Sequence, residues 1–196
     1  MILPTRFFIT ILLINFKITH MKNYLLLFAL ATLTITQSFA QDSKGYIGVS
    51  VGYAMPTGDL ADGADSGLDL GLINFGYRFN ETWGATLNWG ASGHVVPDFQ
   101  DFTIGVGYLA VGPMISFGGL DIKPQYAFTS VVVNDSLGDE TTFDGESGFI
   151  LGMTYNFPLG ENWGIAANAD YLNFTIEDAE DSSSMFKLSL GIQYKF

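Results

Sequence analysis

From Gly45 to the carboxyl end, large apolar side chains recur at every second position rather than at helical spacing. The pattern is clearest at the end of the chain. There Phe186, Leu188, Leu190, Ile192, Tyr194 and Phe196 alternate with Lys187, Ser189, Gly191, Gln193 and Lys195. Successive side chains of an extended strand point to opposite faces, so this spacing puts every bulky apolar group on one side. Near the start, Ile47, Val49, Val51, Tyr53 and Met55 face away from Gly48, Ser50, Gly52 and Ala54. Trp83, Ala85, Leu87, Trp89 and Ala91 do the same against Gly84, Thr86, Asn88, Gly90 and Ser92. So do Phe149, Leu151, Met153, Tyr155 and Phe157 against Gly148, Gly152, Thr154 and Asn156. With the first and last segments, strands over 67–79, 83–94, 101–117, 120–133, 146–157 and 163–175 make eight. Parity slips near Leu72-Ile73, Val111-Gly112 and Tyr171-Leu172 predict bulges, since one extra residue flips the exposed face. Pro113 and Pro124 fall inside strands and, lacking an N–H, call for a bulge or a strand end.

The connections alternate in length. Residues 80–82, 118–119 and 158–162 form tight turns, whereas 56–66, 95–100, 134–145 and 177–184 are longer. An up-and-down barrel in an outer membrane has short periplasmic turns and longer outer loops, with both termini on the short-turn side. A weak echo supports hairpin repetition: Tyr77-Arg78-Phe79 before Trp83-Gly84 matches Tyr155-Asn156-Phe157 before Trp163-Gly164.

An eight-stranded soluble barrel of the lipocalin kind, a periplasmic binding protein, is the alternative. Its outer face meets water and would carry charges at alternate positions, but here the non-apolar face is mostly Gly, Ser, Ala, Thr and Asn. Small groups suit the inside of a narrow barrel, and the bulky face suits hydrocarbon. Tyr77, Phe79, Trp83, Phe117, Tyr155, Phe157, Trp163, Tyr194 and Phe196 lie close to the short turns. Tyr53, Trp89, Phe102 and Phe186 lie nearer the long loops, so two aromatic girdles are expected at the membrane–water interfaces. Only a closed barrel leaves no strand edge unpaired in lipid, so the eight strands are expected to close.

Composition narrows the classes further. The 196 residues are 48% hydrophobic and 15% aromatic, with 23 Gly, only 14% charged residues and no Cys. A thiol nucleophile, a zinc ribbon, a disulfide scaffold and a lipid-anchored cysteine are thereby excluded. A formal charge of −12 without a basic stretch leaves nothing to neutralise phosphates, so nucleic acid is not an expected partner. Met21-Lys22-Asn23, an apolar run over 24–35 and Ser38-Phe39-Ala40 compose an export signal with cleavage before Gln41. The expected organisation is therefore a start extension over 1–20, a signal peptide over 21–40 and an outer-membrane barrel domain over 41–196. Neither apolar run near the amino terminus reaches the ~20 residues that a spanning helix needs.

The signal peptide, the eight-strand pattern, the Gly-aromatic strands and the last strand from Phe186 to the terminal Phe196 resemble the small bacterial outer-membrane β-barrel proteins, the OmpA/OmpX-like group. The resemblance covers the whole mature chain and is one of pattern, most specific in that last strand. It implies insertion by the barrel-assembly machinery through the strand ending at Phe196, contact with outer-membrane lipids and lipopolysaccharide, and a monomer. Unlike OmpA, no periplasmic domain is expected after Phe196, so peptidoglycan anchoring is not implied.

Chemistry is sparse. Fifteen of the twenty acids lie in or beside the long loops: Asp59, Asp62, Asp65, Asp69, Asp98, Asp101, Asp135, Asp139, Glu140, Asp144, Glu146, Glu177, Asp178, Glu180 and Asp181. The expectation is a solvated, self-repelling surface rather than a tight calcium site, because Asp59 to Asp65 lacks the spacing and closing Glu of an EF-hand loop. His94, the only histidine of the mature chain, shares parity with Ser92. A lipid A-modifying enzyme would need such a pair facing lipid, yet this parity points both inward, where they serve as interior hydrogen-bonding groups. A small pore is the remaining alternative. Arg78, Asp121, Lys123, Asp170, Lys187 and Gln193 are expected instead to fill the interior as an ionic network. No catalytic, cofactor-binding or metal-ligating residue is assigned. The expected function is that of a non-enzymatic envelope barrel serving integrity, surface interaction or adhesion.

Overall fold

The computed structural model describes residues 44–58, 60–97, 99–134, 140–176 and 182–196. Eight antiparallel strands follow one another around a closed barrel: β1 (Gly45–Thr57), β2 (Gly67–Arg78), β3 (Trp83–Val96), β4 (Phe99–Phe117), β5 (Leu120–Asn134), β6 (Glu140–Pro158), β7 (Trp163–Ile176) and β8 (Ser182–Lys195). One helical turn, α1 (Leu60–Gly63), lies between β1 and β2. Strand β8 pairs with β1 from Tyr46↔Lys195 to Thr57↔Ser184. The seam is finished by Gly45 N–H to Phe196 O at 2.8 Å and Phe196 N–H to Gly45 O at 2.9 Å. Among the described residues no helix is long and apolar enough to cross a membrane.

The tight turns follow local chemistry. Asn80 accepts the N–H groups of Thr82 and Trp83 through Oδ1 at 2.9 and 2.7 Å, closing the β2–β3 turn with an Asx cap. Gly118, at φ +62°, opens the two-residue β4–β5 turn in a conformation that a side chain resists.

Inside–outside parity follows the sequence along β1, β3, β6 and β8. Val49, Val51, Trp89, Phe149, Leu151, Leu188, Leu190 and Ile192 are exposed on the outer face, whereas Ala54, Thr86, Asn88, Ser92, Thr154, Asn156, Lys187 and Gln193 are buried. The expected slip at Leu72-Ile73 is present as a register shift between Gly71 and Ile73. The other two expected slips are corrected. Pairing of β7 with β8 runs without a shift from Trp163↔Tyr194 to Thr175↔Ser182, and burial alternates unbroken through Tyr171 and Leu172. In β4 the parity also holds through Val111-Gly112, with Val106, Tyr108, Ala110 and Met114 all inward. The apparent slips arise because large apolar residues occupy the inner face there. Val106, Val131, Ile150, Leu172, Phe174 and Met185 form an apolar cluster inside the loop-side half of the barrel.

Several strands also run further than the pattern predicts. Strand β6 begins at Glu140, β8 at Ser182 and β4 at Phe99. Glu140 and Asp144, which the pattern puts in the third loop, therefore have their backbones in the barrel wall, while Asp101 and Glu146 stand on strands as expected.

The turn-side aromatic girdle is well formed. Trp163 meets Tyr194 at 5.3 Å between ring centroids, Tyr155 meets Phe157 at 4.6 Å and Tyr77 meets Phe79 at 5.9 Å. On the loop side the expected girdle is thinner. Tyr53 is exposed on the outer face, but Trp89 sits midway along β3, and Phe102 falls on the inward parity of β4.

Candidate functional site

The barrel interior gathers its polar residues in tiers. Nearest the short turns, Asp121 is wholly buried and accepts hydrogen bonds from three side chains. Arg78 Nη2 donates to both carboxylate oxygens at 2.9 and 3.1 Å, Ser116 Oγ donates to Oδ1 at 2.6 Å, and Asn156 Nδ2 donates to Oδ2 at 2.7 Å. Arg78 Nε also donates to Ser116 Oγ at 2.9 Å, and Gln193 Nε2 donates to Asn156 Oδ1 at 2.7 Å. A buried charge is tolerated when paired and fully hydrogen-bonded, and this cluster meets that condition.

Midway along the barrel, charge is laid out across the wall by strand register. Lys123 pairs with Gly152, Gly152 with Asp170, and Asp170 with Lys187. Gly152 leaves the space between the two charged neighbours: a Cβ there would lie 2.4 Å from Asp170 Oδ1 and 3.3 Å from Lys123 Cε. Lys187 Nζ sits 3.6 Å from the centre of the Tyr108 ring and 3.5 Å from Asp69 Oδ1. A desolvated ammonium gains from both the aromatic face and the carboxylate. Neutral pairs fill the gaps, with Asn88 Nδ2 donating to Gln125 Oε1 at 3.0 Å, Thr154 Oγ1 to Asn168 Oδ1 at 2.7 Å and Asn168 Nδ2 to Ser189 Oγ at 3.1 Å.

All six residues predicted for the ionic interior, Arg78, Asp121, Lys123, Asp170, Lys187 and Gln193, are thus placed in named contacts or register there. The partners Ser116, Asn156, Asp69 and Tyr108 were not predicted. Asn156 and Ser116 were legible from parity alone. Asp69, which the pattern puts beside the first loop at the start of the strand over 67–79, is flanked by exposed Leu68 and Leu70 and is itself buried inside the barrel next to Lys187. Tyr108 was hidden by the supposed slip in β4.

Ser92 and His94 are 3% and 2% exposed and face the interior, as their parity predicts. His94 Nε2 lies 2.9 Å from Ser92 Oγ, and Nδ1 lies 2.9 Å from the carbonyl oxygen of Asp65. That carbonyl can only accept, so Nδ1 donates to it, and Nε2 faces the serine hydroxyl. The histidine is held by a backbone group rather than an acid, and Met185 Sδ stands 3.6 Å from the same hydroxyl. The pair ties β3 to the first loop.

Among the described residues no group of three or more His, Asp or Glu is placed to hold a metal ion. Asp59, Asp98, Asp135, Asp139, Glu177, Asp178, Glu180 and Asp181, which carry most of the predicted loop charge, lie outside the described residues.

No curated protein sequence matches the chain. Among solved structures, Neisserial surface protein A is 14% identical with a TM-score of 0.62, the match covering 78% of this chain and 97% of that one. Ail, the attachment invasion locus protein of Yersinia pestis, is 17% identical with a TM-score of 0.49 over 78% of this chain and 99% of its own. OprG of Pseudomonas aeruginosa is 15% identical with a TM-score of 0.46 over 79% and 97%. At such identities the likeness is one of fold, and the fold is the closed barrel described above. Residues 26–196 match the outer membrane protein beta-barrel domain, and the chain, an integral barrel of the Gram-negative outer membrane, belongs to that family.

Proposed function

We propose that the protein is a non-enzymatic envelope barrel, anchored by its lipid-facing belt and presenting acidic loops outside the cell, that serves outer-membrane integrity and surface interaction. The observation that carries this reading is the occupied interior. Polar networks fill the turn-side and middle tiers, and Val106, Ile150, Leu172, Phe174 and Met185 fill the loop side, leaving the outer surface as the place for function. The enclosed Ser92–His94 pair supports the same reading over lipid A chemistry, since an acyl linkage in the bilayer meets the outer face of the wall.

The reading includes an export signal over 21–40, preceded by a start extension over 1–20, with the mature protein beginning at Gln41. It also includes delivery to the barrel-assembly machinery through the strand ending at Phe196, and a monomer in the membrane beside lipopolysaccharide. A deletion strain tests the role. Loss of the protein is expected to sensitise cells to detergents and bulky antibiotics or to weaken surface adhesion. Complementation by a chain with its loop acids changed to amides is expected to restore the first and not the second. A deletion with neither defect overturns the proposal. The lipid A profile is expected to be the same for the wild type and a Ser92→Ala, His94→Ala double variant. An altered profile would move the function to that pair.

A further inference from the structure

On the outer surface of β4, β5, β6 and β7 the wall carries an open groove of about 530 Å³. It begins where Pro113 and Pro124 stand on adjoining strands. Pairing of β4 with β5 runs to Val111↔Tyr126 and resumes at Ile115↔Ile122, so the stretch holding the prolines lacks paired rungs. Neither proline has an N–H to give, which accounts for the break. From there the groove passes Tyr126 and Phe149, both about half exposed on the lipid-facing side, and ends at Ser147 and Asn173.

The two ends differ in chemistry and in depth. Pro113 and Pro124 lie close to the β4–β5 short turn, at the inner-leaflet side. Asn173 lies three residues before the loop end of β7, on the outward parity of that strand. Its Nδ2 reaches Ser182 Oγ and Ser183 O only at 3.4 Å. Such an amide on a hydrocarbon-facing wall is unfavourable unless it meets a polar group at headgroup depth. Behind the groove, Gln125, which also lines it, is buried and its Nε2 has no hydrogen-bond partner.

We propose that this groove seats one acyl chain of an outer-leaflet lipid, lipid A, with the chain's polar linkage against Ser147 and Asn173. The groove is continuous with the belt that contacts the bilayer, so its occupant comes from the membrane. Its apolar-to-polar direction, from the turn side toward the loop side, is that of an outer-leaflet lipid and opposite to that of an inner-leaflet one. A second groove on the far side, lined mainly by Val49, Val51, Leu70, Leu72, Leu190 and Ile192, has a similar volume of about 510 Å³, and its one polar side chain, Ser50, already accepts from Asn74 Nδ2 at 3.1 Å. It offers solvation to any chain and selects none.

The test refolds the full mature chain into phosphatidylethanolamine vesicles carrying lipid A, extracts it in mild detergent and measures retained lipid by native mass spectrometry. The wild type is expected to keep a lipid A adduct. Ser147→Trp, or the milder Val111→Phe, is expected to lose it while still migrating at two heat-dependent positions, which establishes folding. Leu70→Trp, in the second groove, is expected to keep it. A wild type without adduct, an adduct of phosphatidylethanolamine alone, or equal retention in the groove-filled variants overturns the proposal.

Discussion

At the scale of single residues, Asp121 carries the most consequence. It compensates the Arg78 guanidinium and accepts from Ser116 and Asn156 while itself wholly buried. Asp121→Ala leaves the part-buried Arg78 cation without its partner, and the loss is expected to approach the roughly 3–5 kcal/mol that breaking a fully buried pair costs. Urea unfolding of the vesicle-folded protein is expected to show that loss. The double variant Arg78→Met, Asp121→Leu is expected to lose clearly less, because no charge is stranded. Equal losses would mean that the pair contributes through shape alone. Gly152 tests the middle tier. A Val there pushes into Asp170 and the Lys123 stem, and overpacking of that kind costs about 1–3 kcal/mol. Little of this pairing was legible beforehand. Parity identified which side chains point inward, but which carboxylate meets which cation depends on how far the eight strands are staggered around the barrel.

At the scale of elements, β8 displays the two faces most cleanly. Leu190 is 62% exposed midway along the strand, whereas Gln193 is buried and bonded to Asn156. Leu190→Arg places a charge in hydrocarbon near mid-depth and is expected to cost about 2–4 kcal/mol. Gln193→Ala loses one buried side-chain hydrogen bond, about 1 kcal/mol on the usual scale. Refolding yields and unfolding midpoints in vesicles read both, and equal effects would overturn the assignment of faces. Strands β1, β3, β6 and β8 could be read directly because their two faces differ in residue size. The loop-side halves of β4 and β7 could not. Val106 and Tyr108 inside β4, like Leu172 and Phe174 inside β7, look in sequence like lipid-facing residues. A rule that assigns bulk to the outside then inserts a bulge to restore parity. The continuous β7–β8 register rules that bulge out.

For the whole molecule, the interior decides between a wall and a channel. Phe174, Leu172, Ile150 and Met185 are almost fully buried in the loop-side half, and the Arg78–Asp121 cluster occupies the opposite end. Planar bilayers containing the wild type are expected to show no steady, large conductance. Phe174→Ser with Leu172→Ser removes apolar filling from the loop side, and the ionic tiers below are expected to hold the barrel shut. A large steady current from the wild type would overturn the view of an occluded barrel. Band position before and after heating, in mild dodecyl sulfate, is the direct check that each variant remains a closed barrel.

The amino-acid sequence by itself determined that the chain forms eight strands, which face of most of them is oily, where the tight turns fall and that a closed barrel must result. These properties depend on a repeat of two residues and on the need to pair every backbone edge in lipid, and both are local or general. Only the tertiary structure decided that Asp69 belongs to the interior with Lys187, that Glu140 and Asp144 stand on a wall strand rather than in the third loop, and that apolar side chains fill the loop-side core. It also revealed the missing rungs beside Pro113 and Pro124 as an outward groove. Each of these depends on the stagger and curvature of neighbouring strands. Contacts between strands far apart in the chain set that stagger, and no single segment encodes it.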